Sequence, residues 1–406
     1  MAIVINGSGT VTGLAVGGLP DGTVDNDTVA SGLASSKLTG ALPAISAASL
    51  TNVPKDVTVG GRKNMIINGA MQIDQRTTSK TGVTSSGYHT LDRWKLDNSG
   101  LGTFTMSRSG DAPSGFYSSL KMDCTTAYGS AGADDFNAIH QDLESYDGVS
   151  LGYGTSDAKS LTVSFWVKCS QTGTLQFNLL HYASSTRQIS ATYTINAANT
   201  WEKKTITFAG DTSQASDNDN SKGLVFEWFL ASGTGRTSGG SPQTSWGAYA
   251  LTKRNAGSTI SIGDSTSDTW QITGVQAEIG STATDFEYRS YGEELSLCQR
   301  YYQQFGHPTV EQPVGAGVWN DATQVLGHFP YIQEMRAIPT TSVSSTGFLR
   351  AYGGFSGNKI STGGQPIDGI TTTSARLNVD FASSTAGDGT FLQVVGGQYI
   401  YLDAEL

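Results

Sequence analysis

Apolar and polar residues alternate through much of the stretch from residue 60 to residue 290. Leu224, Phe226, Trp228 and Leu230 share one face, and so do Leu161, Val163, Phe165 and Val167. A period of two marks a strand with one side against a core. Thr174 to Tyr182 and Lys203 to Phe208 follow the same rule. Trp270 to Ile279 obeys it with one slip: Trp270 and Ile272 have one parity, and Val275, Ala277 and Ile279 the other. The slip falls at Gly274, which predicts a β-bulge. Asn64 to Ile73 reads as a further strand, with Asn68-Gly69 available for a turn or bulge. Roughly eight or more antiparallel strands over about 230 residues are buried economically as a two-sheet jelly roll.

The pattern changes on both sides of this block. Ser290-Tyr-Gly-Glu293 has capping-box spacing. Leu295, Cys298, Tyr302 and Phe305 then follow at helical spacing, which predicts a short connecting helix over 291–305 and a seam at about Gly306. From 306 to 406, Val325 to Tyr331, Thr341 to Val343, Ala375 to Phe381 and Phe391 to Leu402 read as strands. Pro308, Pro313, Pro330, Pro339 and Pro366 keep the elements short, so a small C-terminal β-sandwich is expected. Residues 1–58 contain no Trp, Tyr or Phe, yet Ile3, Val11, Leu14, Leu33, Leu42 and Leu50 recur among small residues. An apolar stripe without a core of its own is either buried between identical chains or a disordered linker, and both readings stand. The expected organisation is all-β: an extended N-terminal segment (1–58), a jelly roll (59–290), a connecting helix (291–305) and a C-terminal β domain (306–406).

Composition supports the strand reading. Gly numbers 50 in 406 residues, well above the usual share of about 7%. The net charge of −10 speaks against nucleic acid, whose phosphates need a basic surface, and against charge-driven binding to anionic membranes. No apolar run is long enough to suggest membrane insertion, and Met1-Ala-Ile-Val-Ile-Asn lacks the basic start of a secretory leader. Cys124, Cys169 and Cys298 are far apart and in no metal-binding spacing, so they read as small buried hydrophobes.

Catalytic signatures are incomplete. Gly263-Asp-Ser265 resembles an esterase nucleophile block, but no histidine base stands in the Asp-x-x-His setting that such chemistry needs. Asp134, Asp135, Glu144, Glu227 and Glu278 are carboxylates a glycosidase would use in a pair. Glu227 lies mid-strand opposite to Phe226 and Trp228, as a groove residue or a paired strand position. Asp211 to Asp219 is dense in oxygen ligands, so Asp217 and Asp219 are candidates for a structural calcium, against the alternative of a plain exposed loop. No other cofactor is expected. Sugar rings stack on flat aromatic side chains while amides and guanidinium groups read hydroxyls. Trp246, Tyr249, Tyr128, Tyr153 and Trp319 sit in Gly- and Ser-rich contexts suited to this, and Arg236 and Gln243 flank the loop Ser232 to Ala250. Each aromatic also has the alternative role of closing the end of a sheet.

Several motifs carry a family resemblance. Gly9-Thr-Val-Thr-Gly-Leu-Ala-Val-Gly-Gly-Leu-Pro-Asp-Gly22, Lys37-Leu-Thr-Gly-Ala-Leu-Pro-Ala-Ile45 and Ser49-Leu-Thr-Asn-Val-Pro54 resemble the amino-terminal part of tailed-bacteriophage fibre and virion structural proteins. Asn64 to Ile73, Asp92-Arg-Trp94, Val163 to Lys168, Trp270 to Glu278 and Glu294 to Tyr302 occur in the order of a carbohydrate-binding-module-like jelly roll from such proteins. With the ending Tyr399 to Leu406 the resemblance spans most of the chain and is weakest between Gly306 and Ala386. It implies a non-enzymatic homotrimeric virion component, a tail fibre. Such a fibre attaches to other virion proteins through the N-terminal segment and binds host surface polysaccharide. A head fibre, capsid decoration or collar appendage is the structural alternative, and a glycan depolymerase the enzymatic one.

Overall fold

A computed structural model describes the backbone pairing of Val4–Ile5 with Val11–Thr12 and residues 62–406, apart from 353–357, 364–365 and 383–384. The chain divides into two units, residues 1–57 and 58–406. The expectation of an extended, partner-dependent segment over 1–58 falls almost wholly outside the described residues. Among those residues no helix is long and apolar enough to cross a membrane.

The second unit begins with two six-stranded sheets. One runs, edge to edge, Gly247–Ala248, Thr186–Ile195, Gly173–Tyr182, Lys222–Ser232, Phe136–Glu144 and Lys95–Ser99. The other runs Glu202–Phe208, Leu161–Cys169, Thr269–Ile279, Ser119–Thr126, Thr103–Ser109 and Ser79–Val83. Every pairing in both is antiparallel. The alternating residues meet between the sheets. Phe165 lies edge-on to Trp228 at 5.7 Å and to Tyr193 at 5.2 Å, and Phe177 lies 4.7 Å from Trp228. One continuous core joins them to Leu161, Val163, Trp270 and Ile272. Burying rings of this size from both sheets is what fixes the sandwich.

Gly274 has φ +60°, and the ladder of Thr269–Ile279 slips between Thr273 and Gln276 against Leu161–Cys169. The bulge inferred from parity is therefore present. It also makes a seat, since a Cβ at Gly274 would lie 2.5 Å from the Phe116 ring.

Asn64 to Ile73 departs from its strand pattern. No ladder forms here, because Asn68 and Met71 both take φ of 57°. The segment instead plugs the gap opened by the bulge. The Val275 amide donates to the Gly69 carbonyl (3.0 Å) and the Met65 amide to the Ala277 carbonyl (2.8 Å). Gln141 exchanges two 2.8 Å bonds with the Ile67 backbone. Asn68 accepts from the amides of Gln72 and Ile73 and donates to the carbonyls of Ile73 and Asp92. Asparagine tolerates a left-handed backbone and can supply this many bonds. Gly69 is required for a different reason: a Cβ would stand 2.2 Å from the Val275 carbonyl oxygen. Gly69→Ala is expected to cost about 1–3 kcal/mol of stability, read as a lowered Tm, and an unchanged melt would contradict this account of the plug.

The helix is shorter than its pattern, Tyr291–Gln299. Ser290 accepts from the Glu293 amide at 3.3 Å, but the Glu293 carboxylate turns to Arg62 (3.0 Å), so only half of the capping box forms. Tyr302–Phe305 is a strand paired with Ile400–Asp403. That pairing withdraws Phe305 from helical register and places it in the next core.

The C-terminal region is a closed barrel rather than a sandwich. Gln324–Pro330, Gln312–Trp319, Gly389–Val394, Leu349–Tyr352, Lys359–Gly363 and Ser374–Phe381 pair in that order, and Ser374–Phe381 returns to Gln324–Pro330. Closure removes the open edges that a small sandwich would leave. Val325, Phe329, Leu377, Val379, Leu392 and Val394 fill the interior. Polar ties fasten the barrel region to the jelly roll. Arg300 pairs with Glu144 at 2.7 Å, Arg93 stacks on Tyr301 and pairs with Glu405, and Arg336 donates to the Asn220 carbonyl.

Candidate functional site

Four of the seven tryptophans, Trp94, Trp228, Trp270 and Trp319, are fully buried. An indole face open to a ligand is therefore left to Trp166, Trp201 and Trp246, all half-buried. Trp246 borders a cleft of about 630 Å³ at the junction of the two sheets, whose walls include Thr192, Thr207, Phe208, Thr244 and Ser245. Thr186–Ile195 belongs to one sheet and Glu202–Phe208 to the other. The cleft therefore exists only because the fold brings strands of two different sheets together.

Trp246 is held firmly. Its Nε1 donates to the Ala209 carbonyl at 2.6 Å. Its ring lies edge-on to Tyr153 (5.7 Å) and His181 (6.2 Å). Behind it, His181 Nδ1 bonds Asp211 at 3.1 Å and Nε2 bonds Ser216 at 3.2 Å. Burial lowers the His181 pKa against the opposing pull of Asp211, which keeps the ring neutral, and burial pushes the Tyr153 hydroxyl well up. A braced, uncharged platform beside Thr244 and Ser245 is suited to a polar ligand with apolar faces.

The other aromatic and polar candidates separate by role. Tyr153 is buried and serves as the wall behind Trp246, so it is not itself a platform. Trp319 is 1% exposed inside the barrel, 5.5 Å from Phe381, and is excluded as a sugar contact. Its strand turns every second residue inward, and position 319 falls on the inner parity. Tyr128 is half-buried and does not line the cleft, its amide on the Gly263 carbonyl. Arg236 is buried with its guanidinium 4.5 Å over the Phe136 ring. Gln243 spends its side-chain amide on the carbonyls of Gln188 (2.8 Å) and Ala248 (3.2 Å), which shapes the loop carrying Trp246. Tyr249 is 37% exposed and accepts from Arg254 at 2.9 Å, but it does not line the cleft.

The acidic residues do not gather. Asp134 is exposed with Arg236 at 3.8 Å, and Asp135 accepts from the Gly132 amide. Glu144 is taken by Arg300 and Tyr301, and Glu278 by Gln276 and Thr284. Glu227 is buried against Arg254 and Asn178, which answers its two readings in favour of a paired strand position. Ser265 sits in a turn whose amide is held by Asp268. In the calcium candidate loop, Asp219 is occupied by the amide and hydroxyl of Ser221 and Asp217 is exposed. Among the described residues no group of three or more His, Cys, Asp or Glu side chains is placed to hold a metal.

No protein-family model matches the chain, and no curated protein matches it. Some solved structures are similar in part. The enzymatically active domain of tailspike protein 4 of bacteriophage CBA120 is 13% identical over 53% of this chain, with a TM-score of 0.30, and the match spans 21% of that chain. The family 11 carbohydrate-binding module of a Clostridium thermocellum cellulosomal cellulase is 9% identical over 50% of this chain and 98% of its own, with a TM-score of 0.26. A further carbohydrate-binding module, TmCBM61 in complex with β-1,4-galactotriose, is 7% identical over 54% and 99%, also at 0.26. At these scores the likeness assigns neither family nor ligand.

Of the cleft, only Trp246 was legible in the sequence. Thr192, Thr207 and Phe208 carried no signal, since their approach depends on two strands of different sheets coming together.

Proposed function

We propose that the chain is a bacteriophage tail fibre protein, a homotrimeric virion component that binds host cell-surface glycan through the Trp246 cleft. The observation that carries the binding reading is the braced indole: an aromatic face fixed by Ala209, Tyr153 and His181 in a cleft that Thr244 and Ser245 also line. The mechanism is binding without turnover, and three identical weak sites presented together gain avidity. The N-terminal segment attaches to other virion proteins. The motif order supports the virion assignment. Self-association is supported by the barrel exterior, where Phe391 is 70% exposed beside Val318 and Tyr352.

The test uses the full chain on an array of bacterial and plant-type oligosaccharides, with competition of phage adsorption by the same protein. Wild type should bind a restricted glycan set, and Trp246→Ala should weaken that binding about 30-fold with the fold retained. Equal binding by the variant would remove the cleft from the account. Negative-stain images of a labelled chain distinguish tail from head or collar.

A further inference from the structure

A second groove lies on the outer face of the sheet that contains the bulge. In register, Lys203 stands beside Trp166 and Trp166 beside Thr273. Their neighbours Phe165, Val167 and Ile272 point to the core, so this row of cation, indole and hydroxyl faces outward. Thr273 is fully buried, and its Oγ1 has no hydrogen-bond partner. One wall is an aromatic ledge. Phe116, seated on Gly274, lies 5.1 Å from Phe286 and 5.7 Å from Tyr288. Tyr288 is 59% exposed and donates its hydroxyl to the Gly115 carbonyl at 3.0 Å, which fixes the ring. The groove encloses about 350 Å³, with Asp285 and Lys203 among its lining. Asp285 bonds through its backbone carbonyl to Lys63 and Gln276. Among the described residues neither its carboxylate nor the Lys203 ammonium has a partner.

We propose that this groove is a second saccharide site, built for a neutral pyranose unit. It rests on the glycan-binding reading above but uses none of the same aromatic residues. Flat rings held at fixed angles suit the C–H faces of a pyranose. An unpaired carboxylate accepts from sugar hydroxyls, and an unpaired ammonium donates to sugar oxygens. One charge of each sign leaves no net preference for a charged sugar, and a chain of net charge −10 repels acidic polysaccharide. The bulge has a function in this arrangement: Gly274 leaves room for Phe116, which in turn backs Phe286 and Tyr288.

The test is calorimetric titration of the full chain with the neutral tetrasaccharide bound best on an array of gluco-, xylo-, manno- and galacto-configured oligosaccharides. Wild type should show two binding events per chain. Trp166→Ala and Asp285→Ala should each weaken one event about 10-fold or more and leave the event lost in Trp246→Ala intact. Asp285 is exposed, so its variant serves if Trp166→Ala fails to fold. If both variants titrate as wild type while Trp246→Ala loses binding, the second site is wrong and the glycan reading stands. If wild type binds no saccharide, both fall. If Asp285→Ala and Tyr288→Ser alter the native mass but not sugar binding, the groove is a protein contact and the proposal is overturned.

Discussion

Glu227→Ala should lose about 3–5 kcal/mol of unfolding free energy, because it leaves the Arg254 guanidinium buried without its counter-charge. Glu227 pairs with Arg254 through both carboxylate oxygens and also accepts from Asn178 at 2.8 Å. Arg254 lies 5.2 Å over the Phe229 ring, and its backbone carbonyl accepts from Asn178 at 2.8 Å. The pair therefore fastens the Trp246-bearing loop region onto the outer face of the Lys222–Ser232 sheet. Urea denaturation measures the loss, and a change below about 1 kcal/mol would mean that water reaches the pair. Replacing both residues by apolar ones of similar size should recover much of the loss, since a buried ion pair is costly chiefly when halved.

Phe391→Asp should weaken self-association by about 30-fold or more with the barrel still folded. Phe391 points outward from the barrel while its neighbours Leu392 and Val394 fill the interior. It lies across from Ala316 on one side and Tyr352 on the other, with Val318 also exposed on the same face. A mid-strand phenylalanine open to water on an apolar sheet face adds only a cross-strand contact within one chain, worth about 0.2–1 kcal/mol. Introducing a carboxylate there costs the barrel about 1 kcal/mol of strand propensity but opposes a second copy of an acidic chain. Sedimentation equilibrium across a range of concentrations gives the result. A variant with the mass and concentration dependence of wild type would show that the face is not between copies.

Much of the jelly roll could be read from parity, because burial on one side of a strand is recorded directly at every second residue. The slip at Gly274 was legible for the same reason. Asn64 to Ile73 was misread since its alternation comes from a plug that buries residues in several directions, held by side-chain bonds from Asn68 and Gln141 that no periodicity reports. Tyr302 and Phe305 kept helical spacing with the residues before them, but pairing with Ile400–Asp403 overrode it. Closure of the barrel depends on strands far apart in sequence, so a sandwich and a barrel share one pattern. At the site, loop context drew attention equally to Trp246 and Trp319. Only the parity of position 319 within a strand whose limits the sequence left open separates a platform from a core residue. The ledge of Phe116, Phe286 and Tyr288 was missed because its members are far apart in the chain or sit beside charged residues that mask them.

The most direct measurement is the position of a sugar in a crystal of the full chain grown with its best-bound oligosaccharide. The account predicts a pyranose ring over the Trp246 indole, in the cleft that Thr244 and Ser245 line. A bound sugar found only away from the Trp246 cleft and the Trp166 groove, or an empty cleft at saturating ligand, would contradict it.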